Sequence, residues 1–165
     1  MTSNTKPDLK LNNKWTFWYH NPKDTEWGIN SYIKLGTITN VSEFWQLMNS
    51  LDNNVIENSM LFIMKDNIIP MWEDKNNCKG GSWSFKIYKN TIKQVWEDVC
   101  INIICDNITK NKSDTNTING ISISPKKAFC ILKIWNDNKN INNYKLLNNN
   151  IKNINLNESI YKPHI

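Results

Sequence analysis

The stretch IIPMWEDKNNCKGGSWSF, from Ile68 to Phe85, places Trp72 directly before two carboxylates and then passes through a polar turn into a second run of large residues. In that second run Trp83 and Phe85 alternate with polar residues, and a period of two predicts a half-buried strand. A tryptophan that ends one apolar run and is followed by charge is a poor core position. We therefore ask what the indole of Trp72 and the carboxylate of Glu73 would hold between them.

The composition indicates a single basic domain. The chain has 165 residues, a formal net charge of +5 and a pI of about 9.0, and all 20 basic residues are lysine. A basic balance favours anionic partners such as nucleic acid or nucleotides, although solubility alone would explain it equally well in a lysine-biased chain. Asparagine accounts for 30 residues. This bias is typical of A+T-rich coding and would suit a large DNA virus or a protist parasite, so individual surface asparagines and lysines receive little weight.

Several classes of protein are not expected. The four cysteines include no Cys-x-x-Cys pair and the two histidines, His20 and His164, lie far apart in the sequence, so we expect no zinc site and no cofactor. No apolar run approaches the roughly 20 residues needed to span a membrane. Residues 1–14 are too polar for a signal peptide. We expect a cytoplasmic monomer with reduced thiols and no membrane partner.

Periodicity predicts an α+β fold. Alternation predicts strands over KWTFWYH, SYIKLGTI, SWSFKIY, INGISIS, AFCILKIW and ESIYKPHI, and a hairpin over SMLFIMKDNIIPMW that turns at residues 65–67. Apolar offsets of three and four predict helices over VSEFWQLMNSL, NTIKQVWEDVCINIICDNI and NINNYKLLNNNIKNI. With about seven or eight strands and three helices, we predict one curved antiparallel β-sheet with the helices packed on one side. Residues 1–10 are expected to be a disordered tail and residues 11–165 a single domain.

The sequence favours a binding protein over an enzyme. The two histidines sit in unpromising places, His20 near a strand end and His164 near the C-terminus. The neighbours Glu73 and Asp74 would point to opposite sides of a strand, so they form no obvious acid–base pair. Four of the eight tryptophans fit core positions: Trp15, Trp18, Trp83 and Trp96. Trp27 instead lies in a polar loop beside a glycine, and Trp72 lies at a charged strand end. These two are candidate plates for stacking on a flat ring.

A carboxylate beside a stacking plate suits guanine. Glu73 can accept hydrogen bonds from the N1–H and the exocyclic amine, and such charge-assisted bidentate pairs are roughly twice as strong as neutral hydrogen bonds. Methylation at N7 makes guanine cationic, and a cation against an indole face gains about 2 kcal/mol or more when desolvated. Three lysines of the late hairpin, Lys126, Lys127 and Lys133, are candidates for the phosphates.

These residues carry a resemblance to a known family. PMWED followed by KGGSW resembles the cap-slot segment of the eukaryotic translation initiation factor 4E family, whose members bind mRNA caps. KWTFWYH is similar to its first strand, VSEFWQL to its first helix and ILKIW to its late strand. The resemblance runs from about Lys14 to Trp135, and weakly to Ile165. It implies a cupped antiparallel sheet with three helices on its convex face.

The resemblance also implies roles for single residues, in a protein that binds the 7-methylguanosine 5′ cap to support translation initiation. Trp27 and Trp72 match the two stacking tryptophans, and the backbone N–H of Trp72 would bond the guanine carbonyl. Glu73 matches the glutamate that reads guanine. Trp135 matches the tryptophan that touches the N7-methyl group, and Lys126 falls where the family uses a phosphate-binding arginine.

Two departures concern the phosphates. Ser82 stands where the family often has an arginine, and Ile131 aligns with a usual phosphate-binding lysine. Lys133 lies two residues further on, hence on the same strand face. We expect Lys133 to replace that lysine in part, and we expect cap affinity to fall as ionic strength rises.

The partner surface departs further from the family pattern. Val41, Trp45 and Ile101 match positions that receive a helical Tyr-x-x-x-x-Leu-hydrophobic peptide, found in the scaffold factor 4G and in repressor proteins. Glu97 replaces a usual leucine, and the family's His-Pro-Leu appears as LKL at residues 9–11. We therefore expect a partner on this face that differs from the standard peptide. The family usually has a further loop and strand near the second nucleotide of the cap, and we expect this segment to be shortened here.

Three functions stay open from the sequence. The first is an mRNA cap-binding protein that recruits a 4G-like scaffold. The second is a cap-binding repressor or competitor that sequesters capped RNA. The third is an interaction protein that acts through Trp45 and ignores caps. Trp27, Trp72 and Glu73 separate the first two from the third.

Overall fold

The computed structural model of the protein describes residues 7–165, and seven strands form one antiparallel sheet. The sheet is curved, as predicted. The strands are β1 (Lys10–His20), β2 (Tyr32–Asn40), β3 (Met60–Lys65), β4 (Gly81–Tyr88), β5 (Ile118–Pro125), β6 (Phe129–Asn136) and β7 (Ile160–Pro163). They lie side by side in the order β2-β1-β3-β5-β6-β4-β7. The short β7 pairs with β4 and forms one edge.

Four α-helices occur in the described part of the chain: α1 (Val41–Ser50), α2 (Asn53–Asn58), α3 (Lys89–Ile104) and α4 (Lys112–Thr115). Asn40 caps α1 through its side-chain oxygen, which accepts from the backbone N–H of Glu43, and Asp52 caps α2 in the same way. The long helix α3 buries seven side chains. None of these helices is long and apolar enough to cross a membrane.

The two faces of the sheet differ. On the helix-covered face, alternate strand residues such as Trp15, Ile63, Trp83 and Leu132 pack with the buried sides of α1, α2 and α3 into the main core. On the opposite face, which we call the open face, Phe62, Met64 and Trp135 form a second, smaller buried cluster. This small cluster is the floor of the site described below.

The helix predicted over Asn140–Ile154 is wrong. This segment forms a 3-10 turn at Tyr144–Leu146 and otherwise irregular chain, although its apolar Leu147 and Ile151 are buried in the main core as the periodicity required. Asparagine side chains explain the difference because they bond to nearby backbone: Asn143 Oδ1 accepts from Lys145 N–H and Asn148 Oδ1 from Asn150 N–H, both near 3 Å. Such local bonds compete with the helical ladder.

The hairpin predicted after β3 is also wrong. Asn67 turns the chain with a φ of 67°, but residues 68–80 pair with no strand. Pro70 has no N–H to donate, and the N–H of Ile69 donates to Asp74 Oδ2 at 3.0 Å. The segment is a loop held by its own polar side chains.

The start of the chain contacts the first helix. Residues 1–6 of the predicted 1–10 tail lie outside the described residues. Of the remainder, the carbonyl of Leu9 accepts from Val41 N–H at 2.9 Å, Asp8 Oδ1 accepts from Ser42 N–H at 3.3 Å, and Lys10 begins β1.

Candidate ligand site on the open face

A buried asparagine holds the loop that carries Trp72 and Glu73. The Nδ2 of Asn77 donates to the carbonyls of Ile69 and Met71, both at 2.9 Å, and so fixes the backbone on the N-terminal side of Trp72. Its Oδ1 accepts from Asn119 of β5 at 2.9 Å. Asn77 is fully buried, so each of these bonds satisfies a group that water cannot reach.

The end of the same loop requires two glycines. A Cβ on Gly80 would lie 1.8 Å from the carbonyl oxygen of Asn136, and one on Gly81 would lie 2.5 Å from the hydroxyl oxygen of Tyr161. The freed space is used by the buried Asn136, whose Oδ1 accepts from Gly81 N–H at 3.0 Å and from the Tyr161 hydroxyl at 2.8 Å. The Gly-Gly pair thus lets β4 begin between β6 and β7.

The ring of His20 packs against one face of the Trp27 indole. The two rings are stacked, with centroids 4.3 Å apart and planes at 2°. His20 is fully buried at the end of β1, and its Nε2–H donates to the carbonyl of Glu26 at 2.8 Å. The Trp27 indole itself is 51% exposed. One ring face is therefore supported by the protein while much of the side chain remains open to solvent.

Trp72 has a similar arrangement with His164. Their rings are nearly parallel, at 8°, with centroids 6.3 Å apart, and Trp72 is 47% exposed. The Nδ1–H of His164 donates to the carbonyl of Asn77 at 2.8 Å, while its buried Nε2 has no partner in the described residues. Burial lowers the pKa of His164; the bond to Asn77 opposes this, and the charge of Lys133 adds to it.

Aromatic contacts connect the two tryptophans across the open face. His20 lies 4.8 Å from Tyr32, Tyr32 lies 5.6 Å from Phe62, and Phe62 lies 6.4 Å from Trp135, in each case between ring centroids. Trp135 in turn lies 4.8 Å from His164. The floor between the half-exposed Trp27 and Trp72 is thus a continuous aromatic belt.

Trp135 is the buried centre of this belt. It is 3% exposed, and its Nε1–H donates to Ser122 Oγ at 2.9 Å. Because the polar atom of the indole is satisfied within the sheet, Trp135 can offer a ligand only apolar ring surface.

Glu73 is exposed and supplies a negative charge at the edge of the belt. Burial raises the pKa of Tyr32 to about 12, and the charge of Glu73 contributes in the same direction. Glu73 is therefore close enough to Tyr32 to act on it electrostatically. The site combines aromatic faces with the exposed carboxylate of Glu73, a pairing that suits a flat, positively charged ring carrying N–H donors.

Cations gather near Trp72. The Nζ of Lys133 lies 5.8 Å from the centre of the Trp72 ring. Burial lowers the pKa of Lys133, and the charges of Lys162 and Lys126 lower it further. Lys133 is therefore repelled by both of these lysines, and an anion bound beside it would relieve that repulsion.

The predicted site residues fall into two groups. One group lies around the open face: Trp27, Trp72, Glu73, Trp135, Lys126 and Lys133. The other group lies on the helix-covered side: Val41, Trp45 and Ile101, all half-buried. Trp45 and Ile101 pack against the main core, and the Trp45 ring meets Phe44 at 5.0 Å.

Sequence reasoning missed five residues that contact or support the site: His20, Tyr32, Asn77, Lys162 and His164. The positions of the two histidines, near a strand end and near the C-terminus, gave no sign of a role in the site. Asn77 is one of 30 asparagines, and the composition gives no reason to single it out. No motif marked Tyr32 or Lys162, and only the strand pairing brings them to the open face.

Comparison with known proteins gives a consistent result. Residues 10–164 match the family model described as eukaryotic initiation factor 4E. Eukaryotic translation initiation factor 4E of Eremothecium gossypii is 30% identical over 82% of this chain, and that of Candida albicans is 32% identical over 76%. The chain spans 66% and 63% of the lengths of these two relatives.

Solved structures share the fold. A schistosome eIF4E complexed with m7GpppG and 4E-BP superposes with a TM-score of 0.74 at 19% identity, covering 82% of this chain and 76% of that one. Ascaris suum eIF4E-3 in complex with an m7G cap gives a TM-score of 0.70 at 22% identity, covering 80% and 75%.

Proposed function

Because this chain belongs to the eukaryotic initiation factor 4E family, we propose that it binds the 7-methylguanosine 5′ cap of mRNA and supports translation initiation through a scaffold partner. The relatives carry the name of an initiation factor, and the neighbouring structures are complexes with cap analogues. We also propose that it acts in the cytoplasm as a binding protein without catalytic activity.

One observation carries the proposal. Two half-exposed indoles on separate loops, Trp27 and Trp72, each have a histidine ring parallel to them, and the floor between them is aromatic. An indole that is already held from one side keeps its geometry when a base enters. Little side-chain conformational entropy is therefore lost on binding. The methylated base would stack between the two indoles as a cation.

Guanine recognition falls to Glu73. Its carboxylate would accept from the N1–H and the exocyclic amine, and the backbone N–H of Trp72 would donate to the guanine carbonyl. Asn77 supports this geometry because it fixes the carbonyl of Met71 directly before Trp72. Trp135 would meet the N7-methyl group with apolar ring surface, since its N–H is already bonded to Ser122.

The phosphates would lie among the lysines. Lys133 and Lys126 take this role, and Lys162 joins them because it contributes to the repulsion on Lys133. All three are point charges without the planar fork of arginine, so phosphate binding would be electrostatic and sensitive to salt.

The partner would bind on the helix-covered side at Val41, Trp45 and Ile101. Trp45 and Ile101 are half-buried, so each side chain contributes both to the core and to the surface. Glu97 places a carboxylate in this neighbourhood, where a leucine would favour an apolar peptide. This difference at position 97 favours a second candidate function, that of a cap-binding repressor that holds capped RNA without recruiting a standard scaffold.

A fluorescence titration tests the proposal. We expect 7-methyl-GTP to quench the emission of the exposed Trp27 and Trp72, while GTP at the same concentrations quenches little. Glu73→Ala should abolish the response, and Glu158→Ala, which removes an exposed carboxylate that has no role in the proposed site, should retain it. Equal quenching by both nucleotides, or no quenching by either, would overturn the cap-binding proposal.

Recovery of partners from native cell extract on immobilised cap separates activator from repressor. A 4G-like scaffold that is retained with the protein supports the first role. Retention of the protein with capped RNA but without a scaffold supports the second.

A further inference from the structure

The open face extends beyond the proposed cap site to a second aromatic and cationic group, formed by Lys86, Tyr88 and Phe129. We call it the rim cluster. The Nζ of Lys86 lies 4.6 Å from the centre of the Phe129 ring and 5.3 Å from that of Tyr88. The Tyr88 side chain is 62% exposed.

Strand pairing puts the rim cluster on the same face as Trp135 and Lys133. Tyr88 of β4 pairs with Phe129 of β6. Moving two residues at a time along both strands, the next pairs are Lys86 with Ile131 and Ser84 with Lys133. Side chains two residues apart share a face, while the intervening Phe85 and Ile87 are buried on the helix-covered side. Phe129 lies four residues from Lys133, or about 13 Å along β6.

The rim cluster is directly connected to the proposed phosphate site. The backbone N–H of Lys126 donates to the carbonyl of Phe129 at 2.7 Å, which closes the turn between β5 and β6. Strand register gives a row of cations on this face: Lys162 lies beside Ser82 of β4, Lys133 beside Ser84, and Lys86 is the next β4 residue on the same face. A polyanion that leaves Lys133 and follows this row arrives at Tyr88.

Packing alone does not explain an open tyrosine beside a lysine. An exposed cation–π contact contributes little to stability, and a Tyr88 present for burial would not leave most of its side chain in solvent. An exposed ring next to a cation is what single-stranded nucleic acid requires, because a base stacks on the ring and the phosphate meets the charge.

We propose that the rim cluster binds the RNA that directly follows the cap: the base of a leading nucleotide stacks on Tyr88, and Lys86 contacts its phosphate. The inference rests on the proposed function, since the cap site fixes where that RNA begins. Stacking is tolerant of base identity, so the cluster would strengthen the binding of capped RNA in general rather than select a sequence.

The test compares 7-methyl-GTP with a short capped RNA, which carries the same methylated base and triphosphate. Binding of both is measured by fluorescence titration for the unmodified protein and for Tyr88→Ser and Lys86→Met. Tyr88 is the N-cap residue of α3 and makes no side-chain capping bond. Serine is a preferred N-cap residue, so Tyr88→Ser removes the ring while favouring the helix. Lys93→Met, on the exposed side of α3, is the matched charge control.

We expect the capped RNA to bind at least about five-fold more tightly than 7-methyl-GTP, in line with one stacked base. Tyr88→Ser should remove this gain, and an abasic first nucleotide should remove it equally. Lys86→Met should weaken capped RNA and make its affinity less dependent on salt. All three variants should bind 7-methyl-GTP normally, and Lys93→Met should keep the gain.

The inference is overturned if the unmodified protein shows no gain, or if Tyr88→Ser keeps it. Failure of the proposed function looks different, because 7-methyl-GTP itself would then not bind. In that case the binding of uncapped RNA is measured. If the unmodified protein binds it and Tyr88→Ser binds it more weakly, the rim cluster stays an RNA site. If the unmodified protein does not bind it, the inference is overturned.

Discussion

The imidazole of His20 lies parallel to the indole of Trp27, 4.3 Å between ring centroids, with its Nε2–H bonded to the carbonyl of Glu26 on the loop that carries Trp27. The buried side chain of His20 therefore fixes both the position of the Trp27 ring and the path of the loop that carries it. In the proposed function this contact keeps Trp27 ready for a base before any ligand arrives.

We expect His20→Ala to weaken 7-methyl-GTP binding and to destabilise the protein by about 1–3 kcal/mol. The stack contributes about 0.5–1.5 kcal/mol and the hydrogen bond to Glu26 a similar amount. His20→Phe keeps the stack and loses the bond, so its affinity should lie closer to that of the unmodified protein. Urea unfolding and fluorescence titration measure the two effects. If His20→Ala bound 7-methyl-GTP as tightly as the unmodified protein, the stack of His20 on Trp27 would not contribute to the site.

An aspartate at position 77, although the same shape as asparagine, should not replace the Asn77 amide, because it cannot donate to the two carbonyls. In Asn77→Asp the two bonds to Ile69 and Met71 are lost and oxygen faces oxygen, so we expect a loss of about 1–3 kcal/mol in the free energy of unfolding and weaker ligand binding. Asn149→Asp, at an exposed position, adds the same charge and serves as the control. If the two variants unfold at the same urea concentration, the proposed role of Asn77 in holding the loop is wrong.

Acidification should destabilise the protein partly through His164. The pKa of His164 is lowered in the folded state, chiefly by burial, so the unfolded chain takes up a proton near pH 6.5 before the folded chain does. Its contribution to stability is present above pH 6.5 and is lost as the pH falls toward the lower folded pKa. The free energy of unfolding at pH 7.5 and pH 5.5 should differ less in His164→Gln. An unchanged difference would assign the pH dependence to other groups.

A methyl group at Gly81 should separate β7 from β4. The added Cβ would lie 2.6 Å from the carbonyl oxygen of Lys162 and closer still to the hydroxyl of Tyr161, so we expect Gly81→Ala to cost about 1–3 kcal/mol. Gly28→Ala is the control, because a Cβ there meets nothing within 4 Å. Since β7 leads into His164, Gly81→Ala should also increase acrylamide quenching of Trp72. Comparable stability of both variants would contradict this account.

Glu97 should limit binding of the standard partner peptide. We expect a peptide with the Tyr-x-x-x-x-Leu-hydrophobic pattern to bind weakly to the unmodified protein and more tightly to Glu97→Leu, because an apolar peptide face no longer desolvates a carboxylate. Calorimetric titration measures the difference. Tight binding by the unmodified protein would show that Glu97 does not restrict the partner.

The sequence predicted the strands that alternate strictly and the two tryptophans that fit no core position. It did so because burial on one face of a sheet leaves a period of two, and because Trp72 stands next to charge. The sequence could not identify Asn77, since its bonds reach Ile69 and Asn119 through the folded loop. The same compositional bias that made asparagines look uninformative also concealed the asparagine turns that replace the predicted third helix.

Asn119 and Gly120 have a consequence for the chemical ageing of the protein. They form the single Asn-Gly pair of the sequence, the dipeptide in which asparagine most readily cyclises and loses ammonia. Gly120 cannot be exchanged for a larger residue, because a Cβ would lie 2.3 Å from the carbonyl oxygen of Ile63. In the folded chain Asn119 is buried in β5, and its Nδ2 donates to Asn76 and Asn77, so cyclisation is blocked. Each molecule that unfolds exposes the pair, and deamidation would leave a carboxylate facing the oxygen of Asn77. The fraction deamidated at Asn119 therefore records how long the chain has spent unfolded.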